Sequence, residues 1–207
     1  MGGRVFLEPP LEERAHFGRN QKETLQQKFE QLPADEQSFF QSGSSFLGLN
    51  SSLCGLIANS FFRRVMNVTQ ARVASALPMV FLPFFTTVVA YESAINYPLM
   101  EGDLNCATCA AIRGGAVGAL IGGIYPMLIA LPLNGLLAIR YSSSPMPTSE
   151  NILQYYKMIC KPVFKKMTFA ILLQCAFGSY LASKHHETYT KALLLPDPRR
   201  DPEELNE

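Results

Sequence analysis

GGAVGALIGGIYPMLIALPLNGLLA, residues 114–138, runs for twenty-five residues without a charge, between Arg113 and Arg140. A helix of about twenty apolar residues crosses the hydrocarbon core of a bilayer, so this run is long enough to span with tilt or a break. Pro126, Pro132 and Asn134 lie where a break is expected. Three more charge-free runs flank it. Val73 to Tyr91 is nineteen residues, and Pro78 and Pro83 should bend it. Ser44 to Phe62, also nineteen, is the most polar, with Asn50, Asn59 and several serines that need partners in lipid. Met167 to Ser183 is seventeen, with lysines at both ends that can snorkel outward. A charge at a helix centre costs about 2.5–3.5 kcal/mol on insertion scales. Four such runs in a chain that is 17% charged therefore predict an all-α, polytopic membrane protein with about four transmembrane helices.

The organisation follows from these runs. Residues 1–43 form a polar arm, 44–183 a four-helix transmembrane domain, and 184–207 an acidic tail. Within the arm, Leu25, Phe29 and Leu32 fall on one helical face, a pattern for a short amphipathic helix that breaks near Pro33. Such a helix lies on a membrane surface or belongs to a solvated arm. The first apolar run starts too late for a secretory signal peptide. Five basic residues against seven acids in residues 1–43 argue against a cleavable mitochondrial presequence, which lacks acids.

Basic residues in the short loops set the expected orientation. Loop 63–72 carries Arg63, Arg64 and Arg72; loop 139–166 carries Arg140, Lys157, Lys161, Lys165 and Lys166 against Glu150 alone. Loop 92–113 has Arg113 against Glu92, Glu101 and Asp103. Loops one and three are therefore expected inside, with both termini and loop two outside. Asn67–Val68–Thr69 matches a glycosylation acceptor, but in an inner loop it should stay unmodified.

The sequence excludes several functions. A net charge of +1 and the lack of a basic stripe exclude a strongly basic nucleic-acid binder. No nucleophile triad, acid–base pair or phosphate loop appears, so no catalytic, cofactor-binding or metal residue is expected, nor a small-molecule substrate. No Asp, Glu, Lys or Arg sits inside a span to mark an ion path.

Two constellations stand out. Gly114, Gly118 and Gly122 recur every four residues and make a shallow groove for close helix approach. The first span offers a partner surface in Ser44, Gly48, Ser52 and Gly55. The groove either docks a helix of a client protein or packs within the four-helix unit. The second constellation is C-A-T-C, with Cys106 and Cys109 in the outer loop. The pair reads as two ordinary thiols, as a candidate disulfide, or, with His185 and His186 on the same side, as part of a metal or redox site. A single CxxC lacks the four ligands of a structural zinc.

The stretch GLNSSLCGLIANSFFRRVMNVTQARVASALPM at 48–79 resembles the vertebrate transmembrane protein 126 family. The resemblance continues through GDLNCATCAAIR at 102–113, IGGIYPMLIALPLNGLLAIRY at 121–141 and KPVFKKMTFAILLQCAF at 161–177. It is stronger to the family's A paralogue than to its B paralogue, through the first span and the C-A-T-C loop. The resemblance implies a multi-pass protein of the mitochondrial inner membrane that assists assembly of respiratory complex I. On that footing "inside" is the matrix and "outside" the intermembrane space. The implied partners are complex I membrane-arm subunits, other assembly factors and the lipid bilayer. The A paralogue's association is with the distal part of the membrane arm. The competing readings are a scaffold or channel subunit of an inner-membrane protein translocase, and a thiol–disulfide enzyme using Cys106 and Cys109.

Overall fold

The computed structural model describes residues 24–142 and 152–196, and these fold as helices joined by short turns. A short helix, α1, occupies residues 24–30. Pro33 precedes α2, Ala34–Val65, which carries Asp35 and Glu36 in its first turn and Arg63 and Arg64 in its last. That placement of charge suits the positive amino end and negative carboxyl end of a helix. The next helix is continuous over Arg72–Glu101: α3 (Arg72–Tyr91), a π-helical segment (Glu92–Asn96) and α4 (Tyr97–Glu101). Gly102 ends it at φ +80°, a left-handed position that glycine occupies without strain. The third helix runs over Ala107–Arg140, as α5 (Ala107–Ala116), a π-helical segment (Val117–Ile124) and α6 (Tyr125–Arg140). The fourth, α7, spans Ile152–Leu194.

The prolines do not break these helices. Each π segment lies just ahead of a proline, Pro98 in one case and Pro126 in the other. A wider turn relieves the clash between a proline ring and the preceding turn. Pro126 also has no N–H to offer the Gly122 carbonyl, and the Gln174 side chain donates to that carbonyl instead (Nε2···O 3.3 Å).

The four long helices pack up and down. At one end a core forms from Leu47, Tyr91, Ile95, Leu99, Leu181 and Tyr189. At the other, Phe62, Met66, Met127, Ala138, Val163 and Met167 form a second core. The α2–α3 turn and the start of α7 thus share one end, and the α4–α5 turn shares the other with the start of α2 and the end of α7. Lys191 and Glu36 pair across that second junction (2.8 Å). The basic loop residues gather at the first end, where Lys166 also sits over the Phe61 ring. Neither helix stops where its charge-free run stops: α2 passes unbroken through residues 43 and 44, and α7 through 183 and 184. The α1 stripe is folded onto the bundle, with Leu25 and Leu32 buried and the Phe29 ring 4.7 Å from that of Phe40.

Among the described residues two helices, Arg72–Glu101 and Ala107–Arg140, are long and apolar enough to cross a membrane. Only 22% and 39% of their most apolar stretches is buried in the bundle, unlike the core helices of a water-soluble fold. Val73, Leu77, Phe81, Phe85 and Val89, one every fourth residue, form an exposed apolar ridge along α3.

Candidate functional site

The residues singled out in the sequence lie on helix faces and at one helix start, so the candidate site is the set of seams between helices and the surfaces they leave open. The glycine groove is filled from within the chain. Gly114 lies against Gly178 of α7 so closely that a methyl group on either would overlap the other's carbonyl oxygen. A methyl group on Gly118 would overlap the Gln174 carbonyl, and one on Gly122 would come within 2.8 Å of Gln174 Nε2. Gly115 faces Ser179 and Cys175, and Gly123 faces Ile171. Lipid tails are as apolar as leucine, so this backbone-to-backbone approach supplies the packing that burial from water cannot.

The partner of this groove is α7, and the small face of α2 turns to α3 instead. A methyl group on Gly55 would overlap the Met79 carbonyl, the one that Pro83 leaves without its usual intrahelical donor. One on Gly48 would fall 2.8 Å from Val88 and 3.0 Å from the Phe84 carbonyl oxygen. Ser52 donates to the Val80 carbonyl at 2.7 Å, and Thr87 donates to Ser51 at 2.9 Å. Ser44 is buried as well. The α7 side of the groove is Gln174, Gly178 and Ala182 at four-residue spacing, two small residues and one that offers its backbone carbonyl to Gly118, a face without a glycine repeat to mark it in sequence.

Polar side chains cross the bundle from the first span, the most polar of the four, to the second and third. Asn134 donates to Asn59 (2.8 Å) and Asn59 to Ser75 (3.2 Å), which ties α2, α3 and α6 together. At the opposite end His185 is fully buried beside Tyr91 and Asn96. Asn96 donates through Nδ2 to Glu92 (2.9 Å), so its Oδ1 faces the imidazole. His185 Nδ1 lies 2.8 Å from that oxygen and 3.2 Å from the Tyr91 hydroxyl. A proton on Nδ1 serves both oxygens. His185 is thus a core residue, and among the described residues no group of His, Cys, Asp or Glu is placed to hold a metal.

Cys106 and Cys109 are exposed free thiols at the start of α5. Cys106 caps the helix: the Cys109 backbone N–H donates to its Sγ (3.4 Å). That hydrogen bond holds the Cys106 thiol below the ordinary cysteine range. An exposed thiol of this kind ionises readily and is open to oxidation. A disulfide here would close a very small loop and stabilise little by chain entropy, but it would fix the turn between the second and third helices. The pair is expected to be at least partly oxidised in resting membranes. Alkylation after denaturation, with and without prior reduction, measures this. Full reaction of both thiols without reductant would contradict it.

The comparisons with known proteins agree on one family. The family model described as Transmembrane protein 126 matches residues 19–199. Transmembrane protein 126A of Mus musculus is 51% identical over 84% of this chain and 89% of its own length. Transmembrane protein 126A of Homo sapiens is 48% identical over 86% of this chain and 91% of its own. The protein of Rattus norvegicus named "Complex I assembly factor TMEM126B, mitochondrial" is 31% identical over 88% of this chain and 80% of its own. No solved structure matches. These relatives bear the names of transmembrane proteins and assembly factors. By a match that covers most of its length, the chain belongs to the transmembrane protein 126 family.

Proposed function

We propose that this chain is a non-enzymatic assembly factor for respiratory complex I in the mitochondrial inner membrane. It holds a newly inserted hydrophobic subunit of the distal membrane-arm module until that subunit's partners arrive. The observation that carries this reading is the 31% identity, over 88% of the chain, to a relative named as a mitochondrial complex I assembly factor. All four long helices cross the membrane in this reading. The basic end of the bundle faces the matrix, and both termini face the intermembrane space. Gly114, Gly118 and Gly122 with α7, and Gly48, Ser52 and Gly55 with α3, keep the unit together. The surfaces left for a client helix are the outer apolar faces, of which the α3 ridge from Val73 to Val89 is the most regular.

Affinity purification from mitochondria under mild detergent tests this directly. Complex I membrane-arm subunits and other assembly factors are expected among the co-purifying proteins. Recovery of translocase subunits in their place, or of mixed disulfides through Cys106 or Cys109, would overturn it.

A further inference from the structure

At the basic end of the bundle, a cleft of about 470 Å³ opens between the last turns of α2 and the first turns of α3. Arg63, Arg64 and Arg72 line it together with Asn67 and Thr69, and among the described residues no carboxylate does. Among the described residues none of the three arginines has an ion-pair partner. Arg63 is held in place by donating to the Gln70 carbonyl (2.7 Å) and the Ser75 hydroxyl (2.9 Å). Those bonds leave its remaining N–H groups for another acceptor, since a guanidinium has five donors. Arg64 and Arg72 are exposed at the mouth. Three guanidinium groups around one cleft repel each other until an anion enters, and phosphate matches their forked geometry best.

The position of the cleft selects among phosphates. Two turns below Arg63 it is lined by Leu56, and one turn below Arg72 by Ala76. Val65, Val73 and Leu77 are exposed apolar side chains on the same stretches of α2 and α3. Asn59 and Ser60 add hydroxyl and amide groups to the cleft wall between Leu56 and Arg63. A basic mouth with polar groups inside it and apolar side chains on its flanks, at the end of two bundled helices, is the setting in which basic pockets take lipid head groups. We infer that this cleft binds the phosphate head group of an acidic phospholipid, with its acyl chains along α2 and α3. The inference rests on the reading of α2 and α3 as membrane spans.

The test uses the full chain in detergent, with lipid binding followed by native mass spectrometry at about 0.15 M salt, where distant charges are largely screened. Phosphatidylglycerol is expected to bind about tenfold or more tightly than phosphatidylcholine. Arg64→Gln with Arg72→Gln should weaken phosphatidylglycerol about tenfold or more and leave phosphatidylcholine unchanged. Both arginines are exposed, and unaltered circular dichroism would show that the variant is folded. Lys161→Gln with Lys165→Gln removes the same charge from the same end and should leave binding intact. Equal binding of the two lipids, or an equal loss in the lysine variant, would overturn the site. Displacement of the lipid by millimolar inorganic phosphate would overturn the lipid assignment in favour of a free-phosphate site. Release of the protein from membranes by alkaline carbonate would instead defeat the membrane reading, separately from the cleft.

Discussion

Gly118→Leu is expected to cost about 3 kcal/mol or more, at the upper end of what overpacking does in cores, because the group in the way is backbone. The Gln174 carbonyl of α7 lies where a side chain at residue 118 would begin, and a carbonyl within a helix cannot swing aside as a side-chain tip can. The third and fourth helices would have to separate, and with them the Gly114–Gly178 contact. Thermal unfolding of the purified protein in detergent should show a clear loss, and steady-state levels in cells should fall. Leu120→Ala, on an exposed position of the same helix, should stay within about 0.5 kcal/mol of the parent. If Gly118→Leu leaves both stability and abundance unchanged, the packing assigned to the groove is wrong.

The second large effect is expected at His185. His185→Leu removes the one donor that serves both the Asn96 side-chain oxygen and the Tyr91 hydroxyl. Burial without a partner costs about 1–3 kcal/mol per group, so a loss of about 2–4 kcal/mol follows if Tyr91 relaxes in part. Tyr91→Phe keeps the ring and the Asn96 contact, and should cost about 1 kcal/mol. Equal stability of His185→Leu and the parent would mean that the imidazole does not hold the second and fourth helices together. The space around the ring is tight as well: a methyl group on Gly43 would lie 2.6 Å from its Nε2.

Much of this architecture is legible in the sequence. Each charge-free run falls within one of the four long helices, and among the described residues two of these helices are long and apolar enough to cross a membrane. The spacing of Gly114, Gly118 and Gly122 marks a close-packed face. The identity of its partner is not legible. Ser44, Gly48 and Ser52 on α2 and Gln174, Gly178 and Ala182 on α7 carry the same four-residue period, and the period does not say which antiparallel neighbour each helix meets. Helix ends are misplaced for a related reason: a lysine or glutamate ends a run of lipid-compatible residues but not a helix, so α7 continues past Lys184 as far as Leu194. Prolines read as breaks because a removed N–H is visible in sequence, while the π turns and the Gln174 side chain that compensate for it are not. His185 reads as a residue at a helix end for want of the packing information that buries it. Asn59 reads as a weakness of the first span and Asn134 as a mark of a break in the third, and they are the residues that link three helices.

Topology tests the central claim most directly: four spans would place both chain ends on one side, and the eight basic residues gathered at one end of the bundle would put that end inside. Epitopes fused at residue 1 and at residue 207, and a third inserted within residues 143–151, can be followed when protease is added to mitoplasts. The account predicts that both terminal epitopes are removed while the internal epitope survives until detergent is added. Protection of either terminus, or loss of the internal epitope in intact mitoplasts, would contradict it.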